Sequence, residues 1–194
     1  GSLAYSLVIA DILAIQLQNE PTYSVRFESA RSTFIINDSL DFLETELKWA
    51  RRAGKDVILN MHKPPYADWQ SPDNPRFRQL MKDNEDLILG IFAGHLHDLA
   101  GKHATVGTIP VYLSGAASRE TFLTAYYNPQ ARELLVFKVS GNDWRNNRKL
   151  VGRSKATAPR RASGGAPDHD GRAGLIPFGD AATSAGPHPP GPVE

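Results

Sequence analysis

The chain has 194 residues, with 22 Lys and Arg against 21 Asp and Glu and no cysteine. That length suits one domain with a tail, and a 41% hydrophobic content argues against disorder over most of it. A formal charge of +1 gives no general pull on nucleic acid or anionic membrane, and the lack of cysteine excludes disulfides, thiolate zinc sites, iron–sulfur clusters and a cysteine nucleophile.

In chain order, Tyr5–Ala10 and Ile12–Leu17 read as two strands with a tight connection at Asp11, being rich in aliphatic and β-branched residues. The same stretch is the most apolar of the chain. Asp11 breaks it well short of the ~18 apolar residues of a membrane span, and no basic residue precedes it, so it makes a poor signal peptide. The compartment stays open between cytoplasmic and secreted. The opening Gly1-Ser2, with no initiator Met, suggests that something upstream is missing.

Residues 19–23 read as a loop, and Thr33–Ile36 as a short extended piece. Asp38 or Ser39 then caps a helix whose apolar stripe is Leu40, Leu43, Leu47 and Ala50, widened by Phe42 and Trp49. Gly54 stops it, since a left-handed C-terminal residue carries least strain without a Cβ. A buried strand, Val57–Met61, follows. A second helix spans Pro75–Asn84, and another buried strand spans Leu87–Ala93. Ile109–Leu113, Phe122–Tyr127 and Leu134–Val139 read as three strands joined by short loops, and so as an antiparallel section. The fold class is α/β with a mixed sheet.

Composition changes near residue 150. Residues 152–194 hold 8 of the 16 Gly and 7 of the 14 Pro, and only Leu175–Phe178 is apolar there. Such a stretch cannot bury enough surface to offset its ordering entropy, so residues 141–194 read as a linker and a disordered low-complexity tail.

Three histidines stand just past strand ends. His62 follows Val57–Met61, and His95 and His97 follow Ala93-Gly94. In open α/β sheets, ligands sit at the carboxyl ends of strands. Neutral imidazole suits Zn, Fe, Mn or Ni. An H-x-H pair alone is weak evidence, and a second strand-end histidine strengthens it. Gly94 lets the backbone approach without a Cβ clash.

Gly94-His95-Leu96-His97 after Gly90-Ile91-Phe92-Ala93 resembles the closing G-H-x-H motif of calcineurin-like metallophosphoesterases. Asn60-Met61-His62-Lys63-Pro64-Pro65 is similar to their preceding strand-end motif, and the Asp41–Leu47 helix before it falls in the same order. The resemblance covers about residues 3–140, which would be the C-terminal portion of that domain. It implies a four-layer α/β/β/α sandwich and hydrolysis of a small phosphomonoester or phosphodiester at two metal ions (Mn, Zn or Fe). His62 and His95 would hold one ion and His97 the other. By position beside His62, Lys63 and Tyr66 could touch substrate or be ordinary surface residues, and Asp98, after the H-x-H pair, could orient an imidazole or be a solvated turn residue.

The departures matter as much. The family's D-x-H, G-D and G-N-H motifs are absent, and the one Gly-Asp pair is Gly179-Asp180 in the tail. Three neutral imidazoles do not balance two dications, so the expectation is the C-terminal half of such an enzyme, or a truncated relative, inactive alone. A truncated domain would expose a sheet edge at residues 5–19. The alternative is an inert fragment or a partner-binding module. A mononuclear site would need Asp98 or Asp68 as its carboxylate. His103 reads as an exposed loop histidine and Trp49 as core. Asn19 and Tyr23 are rim candidates. Ser114–Ser118 has no phosphate-loop or nucleophile-elbow pattern, and His169 and His188 carry no role.

Overall fold

The computed structural model describes residues 1–65 and 74–159. The strands are β1 (Tyr5–Ile9), β2 (Ile12–Gln16), β3 (Val25–Glu28), β4 (Thr33–Ile36), β5 (Asp56–Met61), β6 (Ile88–Ala93), β7 (Ala100–Val106), β8 (Ile109–Ser114), β9 (Thr121–Asn128), β10 (Glu133–Ser140) and β11 (Arg148–Lys155). The helices are α1 (Leu40–Ala53) and α2 (Pro75–Asp83).

A six-stranded sheet runs β1-β2-β5-β6-β8-β7. Its centre, β2-β5-β6-β8, is parallel, and both borders pair antiparallel. Parallel strands are buried on both faces, which is why β5, β6 and β8 are mostly apolar. Alternation, interrupted at Leu89 by a register shift against β5, splits their side chains. Val57, Leu59, Ile91, Val111 and Leu113 face α1 and α2, packing with Leu43, Leu47, Phe77 and Met81. Ile58, Leu89, Phe92 and Tyr112 face a second, antiparallel sheet ordered β11-β10-β9, through Leu134, Val136 and Ala156. The described residues thus stack as helices, large sheet and small sheet. A separate hairpin pairs β3 with β4.

α1 forms where its apolar stripe predicts. Its end is set by Gly54 at φ 65°, whose N–H donates to the Ala50 carbonyl. At its start, Asp38 Oδ1 accepts from the Leu40 amide at 3.0 Å, while the Ser39 hydroxyl donates to the Pro21 carbonyl at 3.1 Å. On α2, Asn74 Oδ1 accepts from the Arg76 and Phe77 amides ahead of Pro75.

Four expectations change. Ile109–Leu113 does not join the later strands. As β8 it lies parallel to β6 and pairs antiparallel with β7. β7 itself reads as loop in the sequence, because Gly101-Lys102-His103 breaks its apolar pattern, and His103 accordingly sits on a strand. The antiparallel section is completed instead by β11, inside the stretch read as linker and tail. That strand is mostly polar. It pairs because its backbone completes the ladder on β10, while Val151 and Gly152 meet the large sheet. β3 is the fourth difference. Its Arg26 and Glu28 mask a strand that, among the described residues, pairs with β4 alone.

Trp49 packs against the main core, as expected. No helix among the described residues is long and apolar enough to cross a membrane. Residues 160–194, with the tail histidines and Gly179-Asp180, lie outside the described residues.

Candidate metal centre

β5 and β6 are parallel neighbours, with Met61 opposite Ala93. The residues that follow them therefore emerge side by side. The Gly94 amide donates to the His62 carbonyl at 3.0 Å, tying the two strand ends together. A Cβ built on Gly94 would lie 3.5 Å from His62 Nδ1, an ordinary contact, so the close approach does not demand glycine there. The unusual backbone belongs to His95, at φ 70°. The Leu96 amide donates to the Gly94 carbonyl at 2.8 Å, closing a three-residue turn centred on His95. This is the positive-φ γ-turn, a rare and strained conformation for a residue with a side chain.

The turn aims the His95 ring back at His62. His95 Nδ1 lies 3.3 Å from His62 Nε2, with the rings edge to face at 82°. As a direct hydrogen bond, one nitrogen donates and the other accepts, as the tautomers dictate. The same separation fits a shared cation. A tetrahedral ion with bonds of ~2.0–2.1 Å spans about 3.3 Å between two of its ligand atoms. His62 is exposed and His95 half-buried, so the pair is open to a ligand from solvent.

The rest of the expected constellation does not converge here. Among the described residues there is no group of three or more His, Cys, Asp or Glu side chains that could hold a metal ion. His97 is exposed and belongs to no such group. Asp98 forms an ion pair with Arg119 instead of orienting an imidazole. Lys63 donates its amide to the Asn19 carbonyl at 2.7 Å, and its ammonium lies 3.5 Å from Glu20 Oε2. Tyr23 closes the same loop, its amide donating to the Glu20 carbonyl. Tyr66 and Asp68 lie outside the described residues. Among the described residues, the two imidazole nitrogens of His62 and His95 are thus the pair brought within reach of one ion.

Sequence reasoning missed Glu20, Arg119 and Gln18. Gln18 is nearly buried, and its Nε2 donates to the Tyr23 and Asn37 carbonyls, fixing the rim. None carries a local signal, because each partner is brought near only by the fold.

No family model matches the chain, and no curated protein matches it. Among solved structures it is similar to TT1561 of Thermus thermophilus, at 16% identity and a TM-score of 0.35, over 64% of this chain and 52% of that one. The chain thus spans about half the length of that structure. A likeness this slight carries no argument about function. What stands is a mixed α/β protein with two facing imidazoles at the tips of adjacent parallel strands.

Proposed function

We propose that the chain carries the histidine edge of a metal-dependent phosphate-ester hydrolase site, in which His62 and His95 share one ion. The observation that carries this reading is their 3.3 Å nitrogen separation, held by a strained turn. On the same reading the described layers belong to a four-layer α/β/β/α sandwich of the calcineurin-like metallophosphoesterase kind. His97 and the anionic ligands of a second ion would then require groups beyond those gathered here. When bound, such ions (Mn, Zn or Fe) polarise a phosphoryl oxygen and acidify a water. This chain's own contribution is two neutral nitrogens in fixed orientation. Lys63 faces Glu20, so its charge is partly matched before any phosphate arrives.

Titration calorimetry with Zn or Mn tests this. We expect about one ion per chain, lost in both His62→Ala and His95→Ala and kept in His97→Ala. Turnover of a chromogenic phosphodiester by the chain alone should stay at background. Unchanged metal affinity in His95→Ala would overturn the assignment.

A second reading, a catalytically inactive partner-binding module, is favoured by β1. It borders the large sheet and exposes Tyr5, Leu7 and Ile9 on one face. Two tightly held ions with turnover would defeat it.

A further inference from the structure

The hairpin of β3 and β4 belongs to neither of the two stacked sheets. Every residue from 26 to 35 is exposed, so both of its faces stand in solvent. The register places Phe27 opposite Phe34 on one face and Arg26 opposite Ile35 on the other. Phe27, Phe34 and Ile35 are each about half exposed. A two-stranded hairpin is marginal by itself, because it has no layer on which to bury its apolar side chains. Here the root is tied down. Gln18 Nε2 donates to the Asn37 carbonyl at 2.7 Å and to the Tyr23 carbonyl at 3.3 Å, spanning the two legs. The Ser39 amide donates to the Pro21 carbonyl at 2.9 Å beside them. The hairpin thus rises from the loop after β2, at the same end of the large sheet as His62 and His95. A fourth, helical layer would lie on the small sheet, to which β3 and β4 do not belong.

The tip carries a particular chemistry. Its turn is closed by the Ser29 amide and hydroxyl, which donate to the Ser32 carbonyl at 2.9 and 3.0 Å. Glu28, the one carboxylate of residues 24–37, accepts from Arg26 at 2.8 Å. The Arg31 side chain has no ion-pair partner among the described residues, which leaves the tip with a net positive charge. Exposed rings beside an unmatched guanidinium fit the boundary of an anionic bilayer. Rings enter the acyl edge, the cation meets lipid phosphate, and the hydroxyls of Ser29, Ser32 and Thr33 stay among the headgroups. A protein surface fits less well. Apolar groups lie on both faces of the hairpin, and a rigid partner covers one face whereas lipid closes around both. Three half-exposed side chains also fall well short of the roughly 800 Å² per partner that a stable protein interface buries, a second copy of this chain included.

We propose that the tip of the β3–β4 hairpin inserts into the interface of an anionic lipid bilayer, with Phe27, Phe34 and Ile35 at the acyl boundary and Arg31 on lipid phosphate. The proposal goes beyond the hydrolase reading and needs no metal.

The test is co-sedimentation of the 194-residue chain with vesicles of phosphatidylcholine, with and without phosphatidylserine. The chain should partition onto the phosphatidylserine vesicles at about 1 mM lipid, and more weakly onto phosphatidylcholine alone. Phe34→Ala should weaken binding about fivefold. Phe34→Trp should bind like the parent, with its added tryptophan emission moving to shorter wavelength on the vesicles. Arg31→Glu should weaken binding to phosphatidylserine vesicles about tenfold and leave binding to phosphatidylcholine unchanged. Trp144→Ala and Arg145→Glu, exposed in the turn before β11, should change little. Every substituted side chain is exposed, and thermal melting checks each variant's fold. No binding to phosphatidylserine vesicles overturns the proposal. So does equal loss in Phe34→Ala and Trp144→Ala, or an unshifted emission from vesicle-bound Phe34→Trp. Self-association that Phe34→Ala abolishes, seen by sedimentation without vesicle binding, would assign the tip to a second copy and overturn it too.

Discussion

Gly152 and Tyr112 meet where the two sheets touch. Tyr112 is fully buried, its ring stacked on Phe92 at 5.3 Å, and its hydroxyl end presses on Gly152 of β11. A Cβ there would run into the phenol, so glycine is required by a close approach and not by its dihedral angle. Among the described residues the phenol oxygen has no hydrogen-bond partner. Burial pushes its pKa up. The nearby Ser154 hydroxyl, which donates to the Leu89 carbonyl, offsets this only in part. We predict that Gly152→Ala lowers stability by about 1–3 kcal/mol through overpacking, read as a shift in the urea midpoint at constant slope. An unchanged midpoint would mean that the ring does not sit under β11. At the facing histidine pair, His95 shows the same logic reversed, with a side chain kept where glycine would be easier.

Between elements, charged side chains tie α1 to α2 and to the loop before β6. Arg76 of α2 reaches Asp41 and Glu44 of α1 at 2.6 and 2.7 Å, and Glu44 also takes the Lys48 ammonium at 2.6 Å. Lys48 first, and then Arg76, hold the Glu44 carboxyl down to about 2. Arg51 holds Asp86 below its ordinary value in the same way. A depressed carboxylate contributes stability that is complete above its unfolded value and lost as pH falls toward the folded one. For Glu44 that window runs from 4.5 down to about 2. The parent should therefore lose more stability than Glu44→Gln between about pH 5 and about pH 3 in urea unfolding. Equal losses would show that this exposed cluster contributes nothing measurable, as many surface ion pairs do.

Across the whole molecule, one buried cluster fastens the small sheet to the start of β5. Asp56 is 1% exposed and is bound by the Arg132 guanidinium and, at 2.6 Å, by the Tyr127 hydroxyl. Arg132 also donates to the Ala158 carbonyl, drawing in the segment after β11. Arg132→Met would leave a buried carboxylate without its cation, at a cost of about 3–5 kcal/mol. Against a typical total of about 5–15 kcal/mol, that is a large share. Equilibrium unfolding decides it, and a loss under about 1 kcal/mol would mean that the pair is not what joins the layers. The double change Asp56→Leu with Arg132→Met should recover most of the loss, because neither charge is then left alone.

The amino-acid sequence by itself determined α1, the strands β2, β5 and β6, and the position of His62 and His95 just past strand ends. These features are written in local periodicity and in end signals such as Gly54, which act over one or two turns. Only the tertiary structure decided that β8 joins the large sheet, that β7 and β11 are strands, and that His97 stays outside any ligand group among the described residues. It also assigned Asp98 to Arg119 and Lys63 to Glu20. The reason is range. A half-exposed border strand is stabilised by the ladder of its neighbour, and an ion pair by a residue far along the chain, so neither leaves a pattern in its own residues.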